Sequence, residues 1–101
     1  AHTRPANLIH VVFDNGVYAS TGNQPAISRT VPLEKIAEAA GYPRSVRVRD
    51  PEALAAAYTD SLNSDGPVFI LAEIEVETGP FKAGRVTHTP EEIRDRFAAA
   101  I

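Results

Sequence analysis

The chain has 101 residues, 44% hydrophobic and 23% charged, with 13 acids against 10 bases for a formal net charge of −3. This length allows one modest domain that buries roughly 60–65% of the surface its unfolded form exposes, and the composition is that of a folded protein, not a disordered one. Weak acidity without a Lys/Arg cluster excludes a footprint for nucleic acid or a membrane surface, and the absence of cysteine excludes disulfides, Cys-ligated zinc and iron–sulfur ligation in this stretch.

The longest apolar run, Val68 to Ala72, is too short to span a bilayer, and no signal-peptide pattern is present. An intracellular, cytoplasmic home is therefore expected, with neither nucleic acid nor membrane as a partner. Methionine is absent even at position 1, which fits a fragment or a processed start and, equally, a removed initiator before Ala1.

Ala1 to Asn7 is polar and broken by Pro5, a lead-in to the first strand. Leu8 to Phe13 is apolar and rich in β-branched residues, and it stops abruptly at Asp14-Asn15-Gly16. A buried strand ends in this way when it delivers a polar loop to the edge of a sheet. His10, inside the run, reads as a satisfied histidine and not as a metal ligand. Asn15 offers a neutral amide oxygen to a hard cation, and Gly16 lets the chain turn so that a nearby carbonyl faces the same way. Mg²⁺ takes few protein ligands and is completed by phosphate oxygens and water, so such a half-site suggests a phosphorylated partner. Asn-Gly is also a strong hairpin signal, which would pair Val11-Val12-Phe13 with Val17-Tyr18-Ala19. The near-continuous apolarity upstream and the poor strand quality of Ala19 to Asn23 favour a strand followed by a functional loop.

That loop is expected over Asp14 to Arg29, with a short helical turn near Tyr18; a connection this long is usually functional or disordered. Tyr18 suits a core-facing aromatic and a cofactor contact equally. Ser20, Thr21, Asn23 and Gln24, grouped around Gly22, are turn formers, and the same four hydrogen-bonding side chains suit a loop folded over an anionic substrate.

Pro32 to Ala40 is predicted as a helix, with Leu33, Ile36, Ala37 and Ala40 in its apolar stripe and Gly41 just past its end. Tyr42-Pro43 leads into a short strand over Ser45 to Val48, where Arg47 and Arg49 share the face opposite Val46 and Val48 and receive no chemical role. Asp50 caps a helix from Pro51 to about Leu62, with Leu54, Ala57, Tyr58 and Leu62 on its buried side. After the turn at Asn63 to Pro67, Val68 to Ala72 reads as a central parallel strand covered on both faces. From Glu73 to Glu77 the pattern alternates, placing three carboxylates on one face that reads as solvated. Thr78 to His88 is an irregular basic loop containing Lys82 and Arg85. Thr89-Pro90-Glu91-Glu92 is a capping box that opens a C-terminal helix, whose Ile93, Phe97 and Ala100/Ile101 side is expected to pack inward.

Val12-Phe13-Asp14-Asn15-Gly16-Val17-Tyr18 resembles the closing half of the thiamine-diphosphate motif, in which a strand ends in an Asn pair with an aromatic residue shortly after. The resemblance implies that Asn15, matching the second Asn, binds Mg²⁺ through its side chain and that the Val17 carbonyl supplies a further metal ligand. Asp14 stands in place of the first Asn, a departure familiar in one branch. Tyr18-Ala19-Ser20-Thr21-Gly22-Asn23-Gln24 looks like the Tyr-x-Ser-Thr-Gly-x-Gln loop of phosphonopyruvate and sulfopyruvate decarboxylases, and the resemblance extends, more weakly, to Thr-Pro-Glu-Glu. It implies a cofactor-binding set of Asn15, Gly16, Val17 and Tyr18 and a substrate loop of Ser20, Thr21, Gly22, Asn23 and Gln24.

In that family the motif opens with Gly-Asp-Gly, whose Asp is a magnesium ligand, and this half lies upstream of the chain. The Glu that activates the aminopyrimidine belongs to a separate domain, normally of a neighbouring subunit. Residues 1–101 are thus expected to be the C-terminal portion of one thiamine-diphosphate-binding domain, an α/β fold with part of a doubly wound parallel sheet and flanking helices. Its expected partners are the rest of the enzyme, on the same or another chain of a homo- or hetero-oligomer, and a small 2-oxoacid that loses CO₂ to leave an aldehyde. Two alternatives stand beside this. One is the β subunit of a 2-oxoacid:ferredoxin oxidoreductase, which has a similar loop and the same cofactor; the other is a non-catalytic α/β binding or assembly module. The cysteine-free stretch and the Thr-Pro-Glu-Glu ending favour the decarboxylase over the oxidoreductase.

Overall fold

The computed structural model describes residues 3–76 and 86–101. Three strands form one parallel sheet: β1 (Ile9–Asp14), β4 (Arg44–Val48) and β5 (Val68–Glu73), in the order β1-β5-β4. A separate antiparallel pair joins β2 (Val17–Tyr18) to β3 (Gln24–Pro25). The helices are α1 (Leu33–Ala39), α2 (Pro51–Leu62) and α3 (Pro90–Ala100).

β5 is the centre of the molecule, as its unbroken apolar run predicts. Val68, Ile70 and Leu71 are completely buried, and each fully buried aliphatic side chain of this size contributes about 1.5–3 kcal/mol. Alternate residues serve opposite layers. Val68, Ile70 and Ala72 pack with Val48 and Ala57 of α2, whereas Phe69 and Leu71 pack with Ala37 of α1. The two-faced cover follows from topology. The chain passes from β1 across β5 to β4, then returns from β4 to β5, and crossovers of one hand running in opposite directions put their helices on opposite faces.

Register places β1 beside β5 from Ile9↔Val68 to Asp14↔Glu73, and β4 beside it from Arg44↔Val68 to Val48↔Ala72. All three carboxyl ends therefore finish at one level. β1 does not fold back on Val17-Tyr18-Ala19: its ladder partner is β5, so the strand-plus-loop reading holds over the Asn-Gly hairpin. A single 3-10 turn at Ala19–Thr21 accounts for the helical turn expected near Tyr18. His10 is exposed, with Nδ1 3.2 Å from the Tyr42 hydroxyl and its ring edge-on to Phe69.

Three expectations are corrected. In α2 the buried residues are Ala57 and Ser61, with Ala53 and Leu54 beside them, while Tyr58 and Leu62 are exposed. Small side chains let the helix lie close to the sheet, and the Ser61 hydroxyl is satisfied within the helix by donating to the Ala57 carbonyl at 2.6 Å. The alternating stretch after Ala72 leaves the strand at Glu73. Ile74 N–H still donates to the Asp14 carbonyl at 2.9 Å, but β1 ends there and no ladder continues; Glu77 and the Lys82/Arg85 loop lie outside the described residues. Finally, α3 forms with the expected capping box, in which Thr89 Oγ1 accepts from Glu92 N–H (3.2 Å) and Glu92 Oε2 accepts from Thr89 N–H (2.7 Å). None of its residues is buried, and Ile93 (48% exposed) and Phe97 (67%) face outward instead of packing inward. Both faces of β5 are already occupied by α1 and α2, so the described fold presents no uncovered central strand to receive that stripe.

Candidate functional site

Ligands of parallel α/β sheets bind outside the carboxyl ends of the strands, and this end carries a polar cleft of about 310 Å³. Asp14, Asn15 and Gly16 form one wall, Ser28 and Arg29 a second, and Arg47, Glu73 and Ile74 a third. The volume is at the low end for a ligand pocket.

The first wall is built by local hydrogen bonds. Asp14 Oδ1 accepts from Gly16 N–H and from Ser28 Oγ, both at 2.8 Å, which ties the end of β1 to the returning loop. Asn15 Oδ1 accepts from Val17 N–H at 3.1 Å, a side-chain-capped turn. Gly16 adopts φ +69°, a left-handed conformation that glycine enters without steric cost. A Cβ there would also meet the Arg29 side chain at 3.2 Å. The Gly16 carbonyl accepts from Ala26 N–H at 2.9 Å. The bond from Ala26 N–H to the Gly16 carbonyl makes Val17 and Pro25 a non-hydrogen-bonded pair of this short ladder, so the Val17 carbonyl is not taken up by its cross-strand partner.

The third wall is an ion-pair cluster between elements distant in sequence. Arg47 bridges Glu34 of α1, at 2.8 Å, and Glu73 at the end of β5; Glu73 also accepts from Arg49 Nε at 2.5 Å. Arg47 and Glu34 are largely sheltered, their side chains 24% and 16% exposed. The Arg47 hydrogen bond holds the Glu34 carboxyl below the usual carboxylate range against the opposing effect of burial. Glu73 is lowered chiefly by its hydrogen bond to Arg49, with Arg47 adding to it, and Arg47 itself is raised, first through Glu34. Arg47 Nε is buried without a hydrogen-bond partner.

Of the residues that the sequence nominates, Asn15 and Gly16 line the cleft, and Val17 follows directly at the start of β2. Tyr18, Ser20, Thr21, Gly22, Asn23 and Gln24 do not line it; they form an exposed loop between β2 and β3. The loop is held by its own bonds: Thr21 Oγ1 donates to Gln24 Oε1 (2.9 Å), Gln24 Nε2 donates to the Thr21 carbonyl (3.0 Å), and Asn23 N–H donates to the Tyr18 carbonyl (3.0 Å). Asn23, at φ +59°, supplies the left-handed turn. Ser28, Arg29, Arg47 and Glu73 enter the cleft without a motif to announce them. The one available signal is the pair Arg47/Glu73, both near strand ends that a parallel sheet would bring level.

A cation can be held here only in part. Asn15 Oδ1 has a second lone pair, and the Val17 carbonyl is a further oxygen donor, which suits an ion that keeps waters and phosphate oxygens. Among the described residues no group of three or more His, Asp or Glu side chains could hold a metal by itself. The donor set thus fits a shared Mg²⁺ site and not a closed protein cage.

Comparison with known proteins identifies the family. Residues 1–72 match the family described as thiamine pyrophosphate enzyme, C-terminal TPP binding domain. Over 98 residues, 96% of its length, the chain is 37% identical to phosphonopyruvate decarboxylase of Streptomyces viridochromogenes and covers 24% of that protein. It is 36% identical over 94 residues to the phosphonopyruvate decarboxylase of Streptomyces hygroscopicus, covering 23% of it. It is 34% identical over 93 residues to sulfopyruvate decarboxylase subunit beta of Methanothermobacter thermautotrophicus, covering 46% of that subunit. The chain thus spans about a quarter of the first two relatives and about half of the third. With a parallel sheet flanked by helices and the family match over most of its length, the chain belongs to the C-terminal thiamine-pyrophosphate-binding domains of thiamine-dependent enzymes.

Proposed function

We propose that this chain is the Mg²⁺-binding part of a thiamine-diphosphate site in a non-oxidative 2-oxoacid decarboxylase of the phosphonopyruvate or sulfopyruvate type. The observation that carries the reading is the Asn15-Gly16-Val17 turn, presented at the carboxyl end of β1 with an amide oxygen and a carbonyl to offer a cation. Asn15 and the Val17 carbonyl are assigned to Mg²⁺, and Gly16, also in the cofactor-binding set, to the left-handed turn that brings them together. Tyr18 is assigned to the cofactor, and the Ser20–Gln24 loop to the substrate. The loop's self-contained hydrogen bonds preorganise it for that contact.

When bound, thiamine diphosphate supplies the electron sink for loss of CO₂ from a 2-oxoacid. This chain's share of the work is to hold and orient. The Asp14 carboxylate, by accepting from Gly16 N–H and Ser28, fixes the turn's shape at a strand end that is itself bonded to β5. The remaining parts of the site, a metal-binding Asp and an activating Glu, are assigned to the rest of the enzyme, for which the relatives' greater length leaves room. A homo- or hetero-oligomer in the cytoplasm is the arrangement this implies.

In the intact enzyme, Asn15→Ala is expected to weaken Mg²⁺-dependent cofactor retention by at least about tenfold, as loss of a metal-site group typically does. Equilibrium dialysis of thiamine diphosphate with and without Mg²⁺ measures it. Unchanged affinity in both conditions refutes the assignment of Asn15.

A further inference from the structure

The cleft holds two guanidinium groups, and their surroundings differ. Arg47 is paired with Glu34 and Glu73, and the second acid is shared with Arg49, so that cluster is already neutralised within the protein. Arg29 ends the 3-10 turn Ile27–Arg29, and its side chain makes no hydrogen bond or ion pair with another described residue. The carboxylate in the same cleft, Asp14, has Oδ1 engaged by Gly16 N–H and Ser28 and lies in no ion pair with Arg29.

This cation, unpaired among the described residues, is nonetheless positioned. Its stem lies over Gly16: a Cβ on that glycine would stand 3.2 Å from Arg29 Cγ and 3.6 Å from both Cδ and Nε. The missing side chain at Gly16 therefore makes the seat on which Arg29 rests, directly beside the Asn15-Gly16-Val17 turn. A guanidinium presents a planar fork of donors that matches a tetrahedral oxyanion in bidentate fashion, and it stays charged throughout the working pH range.

We propose that Arg29 is a specificity-determining residue, whose guanidinium pairs with the second acidic group, phosphonate or sulfonate, of the 2-oxoacid. The inference rests on the decarboxylase reading above and deepens it. The same oxyanion chemistry is present in the cofactor's diphosphate, so the test separates the two sources. A substrate with a second anion gains from Arg29, whereas pyruvate, which has none, offers the guanidinium nothing at that position.

The test uses the intact enzyme, its Arg29→Gln variant and its Arg29→Lys variant. Steady-state kinetics with phosphonopyruvate, sulfopyruvate and pyruvate give the discrimination ratio. Calorimetry gives binding of 3-phosphonopropionate, which carries carboxylate and phosphonate without the keto group. Arg29→Gln is expected to lower kcat/KM for the better of the two acidic substrates relative to pyruvate by about tenfold or more, and to weaken 3-phosphonopropionate by a similar factor. Arg29→Lys, which keeps the charge and loses the fork, should recover part of both. A larger effect on the Kd of thiamine diphosphate than on the phosphonate probe assigns Arg29 to the cofactor and overturns the proposal, as does an unchanged discrimination ratio. A wild-type enzyme that decarboxylates none of the three substrates refutes the decarboxylase reading itself, a result distinct from an active enzyme indifferent to Arg29.

Discussion

Two polar walls meet at the carboxyl end of the sheet, and they are made in opposite ways. The Asp14-Asn15-Gly16 wall is closed first by bonds between residues two apart, Asp14 to Gly16 N–H and Asn15 to Val17 N–H, and is anchored from further away by the Ser28 hydroxyl, Ala26 N–H and Ile74 N–H. The Arg47 wall has no local bond at all: its partners, Glu34 and Glu73, are 13 and 26 residues away and sit on α1 and β5. A turn built from neighbours survives a shift of the surrounding fold. A cluster built from three elements exists only while all three are docked. The turn therefore holds the candidate metal donors, and the ion-pair cluster locks α1 to the sheet end beside them.

Breaking the Arg47 wall should cost the most. Arg47→Met keeps an unbranched stem but leaves Glu34, largely sheltered, without its partner, while Glu73 retains Arg49. A loss of about 2–3 kcal/mol is expected, the scale of hydrogen bonds to charged groups with an orphaned acceptor, and a lower urea midpoint at unchanged slope measures it. A midpoint equal to that of the wild type would show that the cluster is merely decorative.

Acid should reach the same wall without mutation. Glu34 and Glu73 both titrate below the ordinary carboxylate value in the folded protein, Glu34 chiefly through Arg47 and Glu73 chiefly through Arg49. A depressed folded pKa means that the unfolded chain binds protons first. Their stabilisation is thus fully present above the unfolded value of about 4.3 and is lost as pH falls through the folded values. Stability measured between pH 6 and 3 should decline below about pH 4.3, and Arg47→Met should decline less steeply. Parallel curves for the two proteins would remove Glu34 from the explanation.

The first wall should yield less. Ser28→Ala removes one hydrogen bond to the Asp14 carboxylate, and about 1 kcal/mol is expected because Gly16 N–H still occupies the same oxygen. Thermal unfolding measures it. An effect larger than that of Arg47→Met would invert the ranking of the two walls.

The legible parts of the molecule are those where neighbouring residues decide. Asp50 and Thr89 announce α2 and α3 because each side chain accepts from the backbone N–H three residues on, at 2.7 Å from Ala53 and 3.2 Å from Glu92. Val68 to Ala72 announces the central strand because no polar residue interrupts it. Asn15 and Gly16 were legible as candidate metal and cofactor residues for the same reason. Their chemistry and the turn they form are contained in three consecutive positions.

What stayed hidden depends on where those pieces meet. Tyr58 and Leu62 fit an apolar helical stripe with Ala57, yet Ser61 joins Ala57 against the sheet in their place, because closeness of approach and not hydrophobicity selects the buried side of α2. The stripe of α3 is as amphipathic as its sequence promises but buries nothing among the described residues. Arg47 received no role from its place on the face opposite Val46 and Val48, and only the docking of α1 and β5 supplied the two carboxylates that surround it.

By itself, then, the sequence determined the α/β character, the capped helices, the central parallel strand and the Asn15-Gly16-Val17 turn, all of which rest on hydrogen bonds and patterns within a few residues. Only the tertiary structure decided the order β1-β5-β4, the level at which the three strands end, the pairing of Arg47 with Glu34 and Glu73, and the position of Arg29 over Gly16 without a partner among the described residues. Packing of β5 between α1 and α2 sets those distances, and no spacing along the chain encodes them.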